Sequence, residues 1–470
     1  MRNRYLYITI LTLLGLSAEA VAQTAAQGKQ QADTTQAVTV PQLVVTIAID
    51  QLRTDRMETY ASLYKYNGLN RLLAEGMVFS NASYNFTPVD RASAIASLTT
   101  GSTPYYNGVT GVEWLDRSTL RPQNIVDTRD NGLSPAQLLT STLGDELKIA
   151  TDGLSKVFSF STDAERAILS AGHAADGAVW VANGKWNIAS YYTPENQWIS
   201  WYTRQYKPTE DDNRSLTDIA LKCVEQSGIG QDQHPDLLTI TYAVASDAAS
   251  YQRLDYYIGV LINGILRKVP KERVLFVVTG TGTFKEEEHP GANERFHIPT
   301  GKFYINRTAN LLNMYLGAIY GSEQYVETSF RNQLFLNRKL ISKRNIDMGD
   351  VLRRSQEFIL QLSGVRNVYT SNQLMTSDNV LLERIRNGFN MERCGDLLID
   401  VAPGWELINE DTNTSTVSRA SYIPFPIIFF GTDIKSQRIQ TTVTTDRIAP
   451  TVARAIRIRA PNACSAEPLF

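Results

Sequence analysis

The residues Leu43-Val-Val-Thr-Ile-Ala-Ile49 form an apolar run rich in β-branched side chains. A strand with one wet face alternates apolar and polar residues. A run without that alternation predicts a strand covered on both faces, as in a parallel sheet layered between helices. Leu237–Thr241, Val274–Val278 and Ile427–Phe430 share this texture. Apolar residues return at helical spacing between such runs, as at Leu69, Leu72 and Leu73 before Gly76, a glycine placed to cap a helix C-terminus. Strands alternating with helices over 470 residues predict an α/β fold built on a doubly wound, mostly parallel sheet. Over 301–394 the texture changes: Ala309–Tyr320 and Met348–Leu362 read as amphipathic helices and Gly364–Thr370 as a short strand. This stretch is expected to be a mixed α/β insertion lying on one edge of the main sheet, leaving 42–300 and 395–470 to form the main domain.

The N-terminus is a targeting segment. Arg2 and Arg4 precede the apolar run Leu6–Leu16, and Ala20-Val21-Ala22 supplies small residues for cleavage, so 1–22 reads as a signal peptide. Residues 23–41, rich in Ala, Gln and Thr, read as a flexible linker. The apolar run is short for a membrane span and no later segment resembles one, so the mature chain is expected to be periplasmic or secreted from a bacterium. The net charge of -2, without a basic run, argues against nucleic acid as a partner. Three cysteines, Cys223, Cys394 and Cys464, allow one disulfide at most, and none has metal-knuckle spacing.

In a doubly wound fold the functional groups stand just past the carboxyl ends of strands. Asp50, directly after the first apolar run, is there; it suits a metal ligand, and equally a carboxylate satisfying a helix N-terminus. The surrounding segments carry a resemblance. Val45–Arg53, Gly68–Gly76, Tyr84–Gly111, Ala171–Asp176, Tyr251–Asp255, Val274–Gly282, Ile427–Gly431 and Asp446–Thr451 follow one another as landmarks do in the alkaline phosphatase superfamily. The chain resembles its secreted bacterial phosphomonoesterase and type I phosphodiesterase–nucleotide pyrophosphatase branch. That resemblance implies a Thr or Ser nucleophile at the start of a helix, facing a pair of zinc ions held by Asp and His. The metals lower the nucleophile's pKa and neutralise charge on the transferring phosphoryl group.

Position by position, the implied chemistry is missing. The nucleophile position, counted from Pro88, is Arg91, and Ser93 is a substitute only after a slip of two residues. The positions of metal-binding Asp and His fall on Thr281 and Gly282, and the last His falls on Ser415. The phosphate-binding Asn becomes Val112, and a Lys-x-Arg pair becomes Asp163 and Glu165; Arg166 is one position off and fits only through a local bulge. Asp50 is the remaining landmark, a vestigial metal ligand. His173 reads as structural, while His289 and His297 flank a Pro-Gly loop. The reading leans away from an enzyme, with no cofactor expected: an exported pseudoenzyme acting as a binding or scaffold protein, its partner a protein or envelope component. Arg91, Asp163 and Glu165 are expected to form an ion pair closing the old cleft. The alternative is a metal-dependent phosphomonoesterase or phosphodiesterase with relocated groups, using Ser93 and zinc at Asp50. A third reading, glycan binding, leans on Trp180, Trp186, Trp198 and Trp201, which also suit a core.

Overall fold

A computed structural model describes residues 39–127, 132–192, 197–282, 299–417 and 423–470. The expected signal peptide and most of the expected linker lie outside these residues, as do His289 and His297. The main sheet has ten strands. In chain order they are β1 (Leu43–Asp50), β2 (Met77–Ser83), β3 (Val157–Ser161), β4 (Gly177–Ala182), β5 (Lys185–Ile188), β6 (Asp236–Ala243), β7 (Val274–Gly280), β8 (Phe425–Gly431), β9 (Gln437–Ile439) and β10 (Val443–Thr444). Their spatial order is β9-β2-β8-β7-β1-β6-β3-β4-β5, with β10 also paired to β2. β1 lies parallel to both β6 and β7, whereas β8 and β5 run antiparallel to their neighbours.

The first apolar run is buried on both sides. Leu43, Val45, Ile47 and Ile49 enter one hydrophobic core, and Val44 and Ala48 enter another. Helices cover each face. Helix α1 (Arg91–Thr100) and α2 (Ala164–Ala171) pack in the second core through Ala92, Ile95, Ala167 and Ile168. Helix α3 (Ala248–Leu266) packs in the first through Tyr251, Leu254 and Ile258. Asp50 is the last residue of β1 rather than the first beyond it. Gly76 follows the helix Leu69–Glu75 as expected, but its backbone is extended (φ -88°, ψ 164°) rather than left-handed. Glycine is required there because a Cβ would stand 2.5 Å from the Leu72 carbonyl oxygen.

The insertion differs from expectation in extent. Leu397–Val401 is an inner strand of a four-stranded sheet, paired with Gln333–Leu336 and with Val365–Thr370. Gly301–Tyr304 pairs with Trp405–Asn409, which pairs in turn with Thr414–Val417. The boundary at 394 is therefore overturned: the smaller sheets continue through Val417. The composition does not mark this point, because Leu397–Val401 is as apolar as a strand of the main sheet. The subdomain is hydrogen-bonded to connecting segments of the main domain. The Arg384 backbone carbonyl accepts the Thr87 N–H, the Arg393 side chain donates to the Gly108 carbonyl at 2.6 Å, and the Arg117 side chain donates to the buried Asp396 carboxylate at 3.0 Å.

All three cysteines are free thiols, with Cys223 and Cys394 buried. Trp180 is buried and Trp186 and Trp198 pack against the first core, so only Trp201 of the four tryptophans is largely exposed.

Candidate functional site

The carboxyl ends of β1, β3 and β7 bring Asp50, Asp163 and Thr281 together. Asp163 caps α2, accepting the Arg166 backbone N–H at 2.9 Å. That cap turns the Arg166 side chain, three residues on, back over the helix start. Its Nε and Nη2 both reach Asp163 Oδ2 at 2.5 Å, and its Nη1 donates to Asp50 Oδ2. The other Asp50 oxygen accepts from the Thr281 hydroxyl at 2.6 Å. Only 9% of the Arg166 side chain is exposed. Burial disfavours its charge, but the carboxylates of Asp163 and Asp50 outweigh that and hold its pKa above the ordinary value. A guanidinium from within the chain thus pairs with both carboxylates.

Gly282 closes the same corner. Its φ of +67° lies in the left-handed region, and a Cβ would come within 2.6 Å of Tyr84 Cε2. The position where the resemblance implies a His ligand thus has no room for a side chain. Tyr84 is buried beneath it, its hydroxyl pKa pushed up by burial and by the Asp50 charge.

A second layer of charge lies at the start of α1. Arg91 pairs with Glu165 at 3.5 Å, and Asn124 Nδ2 donates to the same carboxylate oxygen at 3.2 Å. The expected closing ion pair exists, with one correction: Asp163 is taken by Arg166, so Arg91 meets Glu165. Asp90 caps α1, accepting from Ala92 and Ser93 N–H, and its second oxygen accepts from the Val112 N–H at 2.8 Å. Arg331, from the insertion, approaches Asp90 at 3.7 Å. Ser93 is fully buried, and its hydroxyl completes the capping box by accepting the Asp90 N–H at 2.9 Å. Its role here is structural. Ser415 is not brought to the site: it sits on the outer strand of the three-stranded ladder, opposite Ile408, and donates to Glu406.

Zinc requires several N, O or S donors converging on one point. Asp50 offers one carboxylate, which faces a guanidinium and a hydroxyl. Among the described residues no group of three or more His, Cys, Asp or Glu could hold a metal. The described residues at this site do not fit a zinc pair.

His173 stands apart. Its Nδ1 lies 2.9 Å from Asp145 Oδ2 and its Nε2 lies 3.2 Å from the Leu138 carbonyl oxygen. Two acceptors favour the imidazolium, and the hydrogen bond to Asp145 raises the His173 pKa above its ordinary 6.5. A raised folded-state pKa contributes stability fully present below the unfolded value and lost as pH rises through the folded one. The stability advantage of wild type over His173→Asn is therefore expected to be larger at about pH 6 than at about pH 9. Urea unfolding of both proteins checks this; an equal difference at the two pH values contradicts it.

The doubly wound sheet, the inserted subdomain and an acidic residue ending the first strand define an α/β scaffold of the alkaline phosphatase superfamily. Residues 44–423 match the type I phosphodiesterase / nucleotide pyrophosphatase model, and the chain belongs to that family. Alkaline phosphatase PafA of Elizabethkingia meningoseptica is 24% identical over 94% of this chain and 96% of its own length. The calcium-transporting ATPase of Myroides odoratus is 25% identical over 91% and 94%. The crystal structure of wild-type alkaline phosphatase PafA superposes with a TM-score of 0.78, covering 92% of this chain and 99% of that one at 23% identity. Murine ectonucleotide pyrophosphatase/phosphodiesterase 5 shares the fold at a TM-score of 0.55 and 9% identity, over 89% and 95%.

Sequence reasoning missed the central part of Arg166. Its signal was present: an Arg three residues after a helix-capping Asp can reach back over the cap. Arg331 carried no such signal, since only the packing of the insertion brings it to Asp90.

Proposed function

We propose that the chain is an exported, non-hydrolytic member of its family that serves as a binding or scaffold protein in the bacterial cell envelope. The observation that carries this reading is the engagement of Asp50 by Arg166 and Thr281. The carboxylate that would begin a metal site is neutralised by a cation belonging to the chain. Among the described residues the helix start offers no nucleophile either, with Arg91 at its first position and the Ser93 hydroxyl built into the cap. The charged start at Arg2 and Arg4 and the apolar run that follows support export. No helix among the described residues is long and apolar enough to cross a membrane.

The test uses the purified full chain with zinc in the buffer and p-nitrophenyl phosphate or bis-p-nitrophenyl phosphate as substrate. No turnover above a mock purification is expected for either. Metal-dependent turnover that Ser93→Ala abolishes would replace this reading with that of a hydrolase.

A further inference from the structure

Two cavities adjoin on the flank of the closed site. One, of about 470 Å³, is lined by Gln51 and Thr162, the neighbours of Asp50 and Asp163, and by Asp211, Asn213 and Arg253. The other, of about 460 Å³, is lined by Lys65, Tyr66, Gln252, Arg253 and Tyr256. Arg253 belongs to both, so the first turns of α3 form a shared wall of one trough. Each cavity is within the size range of ligand sites, and the trough borders the carboxyl ends of β1 and β6, where open α/β sheets bind ligands.

The aromatic wall is built rather than incidental. Tyr66 and Tyr256 remain 52% and 45% exposed, and their rings meet edge to face at 5.1 Å. The Tyr66 loop is fixed from beneath: the fully buried Asp255 accepts the backbone N–H groups of Lys65 and Tyr66 at 3.0 and 2.9 Å. Tyr257, in ring contact with Tyr256, donates to Asp211 at 2.9 Å and so links the aromatic wall to the polar cavity. Exposed rings beside carboxylate, amide and guanidinium groups match one ligand chemistry well. The C–H face of a sugar ring lies on an aromatic ring, while neighbouring hydroxyls bridge planar two-pronged groups.

We infer that this trough is a saccharide-binding site, taking a neutral or amino-sugar oligosaccharide. Glu210, Asp211 and Asp212 outnumber the cations Lys65 and Arg253, so a polyanionic glycan is disfavoured. This deepens the reading of the chain as an envelope binding protein and rests on it.

The test is calorimetric titration of the full chain with N-acetylchitotetraose, chitotetraose, cellotetraose and maltotetraose, and with tetragalacturonate as the acidic control. Saturable binding of at least one neutral or amino tetrasaccharide is expected, with none of the acidic control. Tyr66→Ala and Tyr256→Ala should each weaken it about tenfold while leaving the unfolding midpoint unchanged. Absence of binding across the neutral and amino sugars, binding undiminished in both variants, or preference for tetragalacturonate overturns the inference. Turnover of aryl phosphates by the same preparation would remove the non-hydrolytic reading separately, without altering what the titration says of the trough.

Discussion

Arg166→Ala is expected to lower folding stability by about 3–5 kcal/mol, because it strands two charges that the native chain holds away from water. Asp50 and Asp163 are only 15% and 19% exposed, and both lean on this guanidinium. Without it the two carboxylates face each other across the vacated space. Arg166→Lys should recover only part of the loss, since an ammonium lacks the planar fork that reaches both partners. Pairing Arg166→Met with Asp50→Asn removes charge from both sides and should be milder than Arg166→Ala alone. Denaturant midpoints for the set check this order. An Arg166→Ala protein as stable as wild type would show that the ion pair does not hold this end of the sheet together.

The second large effect lies beneath Tyr66. Asp255 on α3 accepts four backbone N–H groups, from Lys65, Tyr66, Gly68 and Leu69, at 2.8–3.0 Å. It is a buried carboxylate held by peptide N–H groups, and these bonds start the helix Leu69–Glu75 and fix the preceding loop. Asp255→Ala leaves those donors without an acceptor and should cost about 3 kcal/mol or more, since bonds to a charged acceptor contribute about 1.5–3 kcal/mol each and are not additive. Asp255→Asn keeps one acceptor oxygen and should fall between. The readout is again the unfolding midpoint, joined by amide hydrogen exchange, which should quicken first at residues 65–69. Unchanged protection there would contradict the role given to Asp255.

The sequence carried the sheet legibly because the apolar runs at Leu43, Leu237, Val274 and Ile427 are strands covered on both faces, and burial of that kind leaves a local mark. It carried Asp50 for a related reason: the residue that ends such a run must stand at the carboxyl edge. The far side of the insertion was not legible. Leu397–Val401 has the same apolar texture as the main strands, and only its pairing with residues 333–334 and 365–370 assigns it to the smaller sheet. Ser415 lies away from the strand ends because it belongs to the outer strand of the Trp405–Val417 hairpin, opposite Ile408. At the site itself, the residues were visible one by one, but the contacts among them were not. That Thr281 holds one oxygen of Asp50 while Arg166 holds the other is a fact of three strand ends meeting in space.

In the proposed reading, the contacts of Arg166 and Thr281 with Asp50 stand in place of a metal centre. That reading is tested most directly by the zinc content of the full chain, purified in zinc-containing buffer, freed of loosely bound metal by gel filtration and measured by mass spectrometry. Far less than one zinc per chain is expected, and the same value for Asp50→Asn. One or two zinc ions per chain, lost on Asp50→Asn, would contradict it.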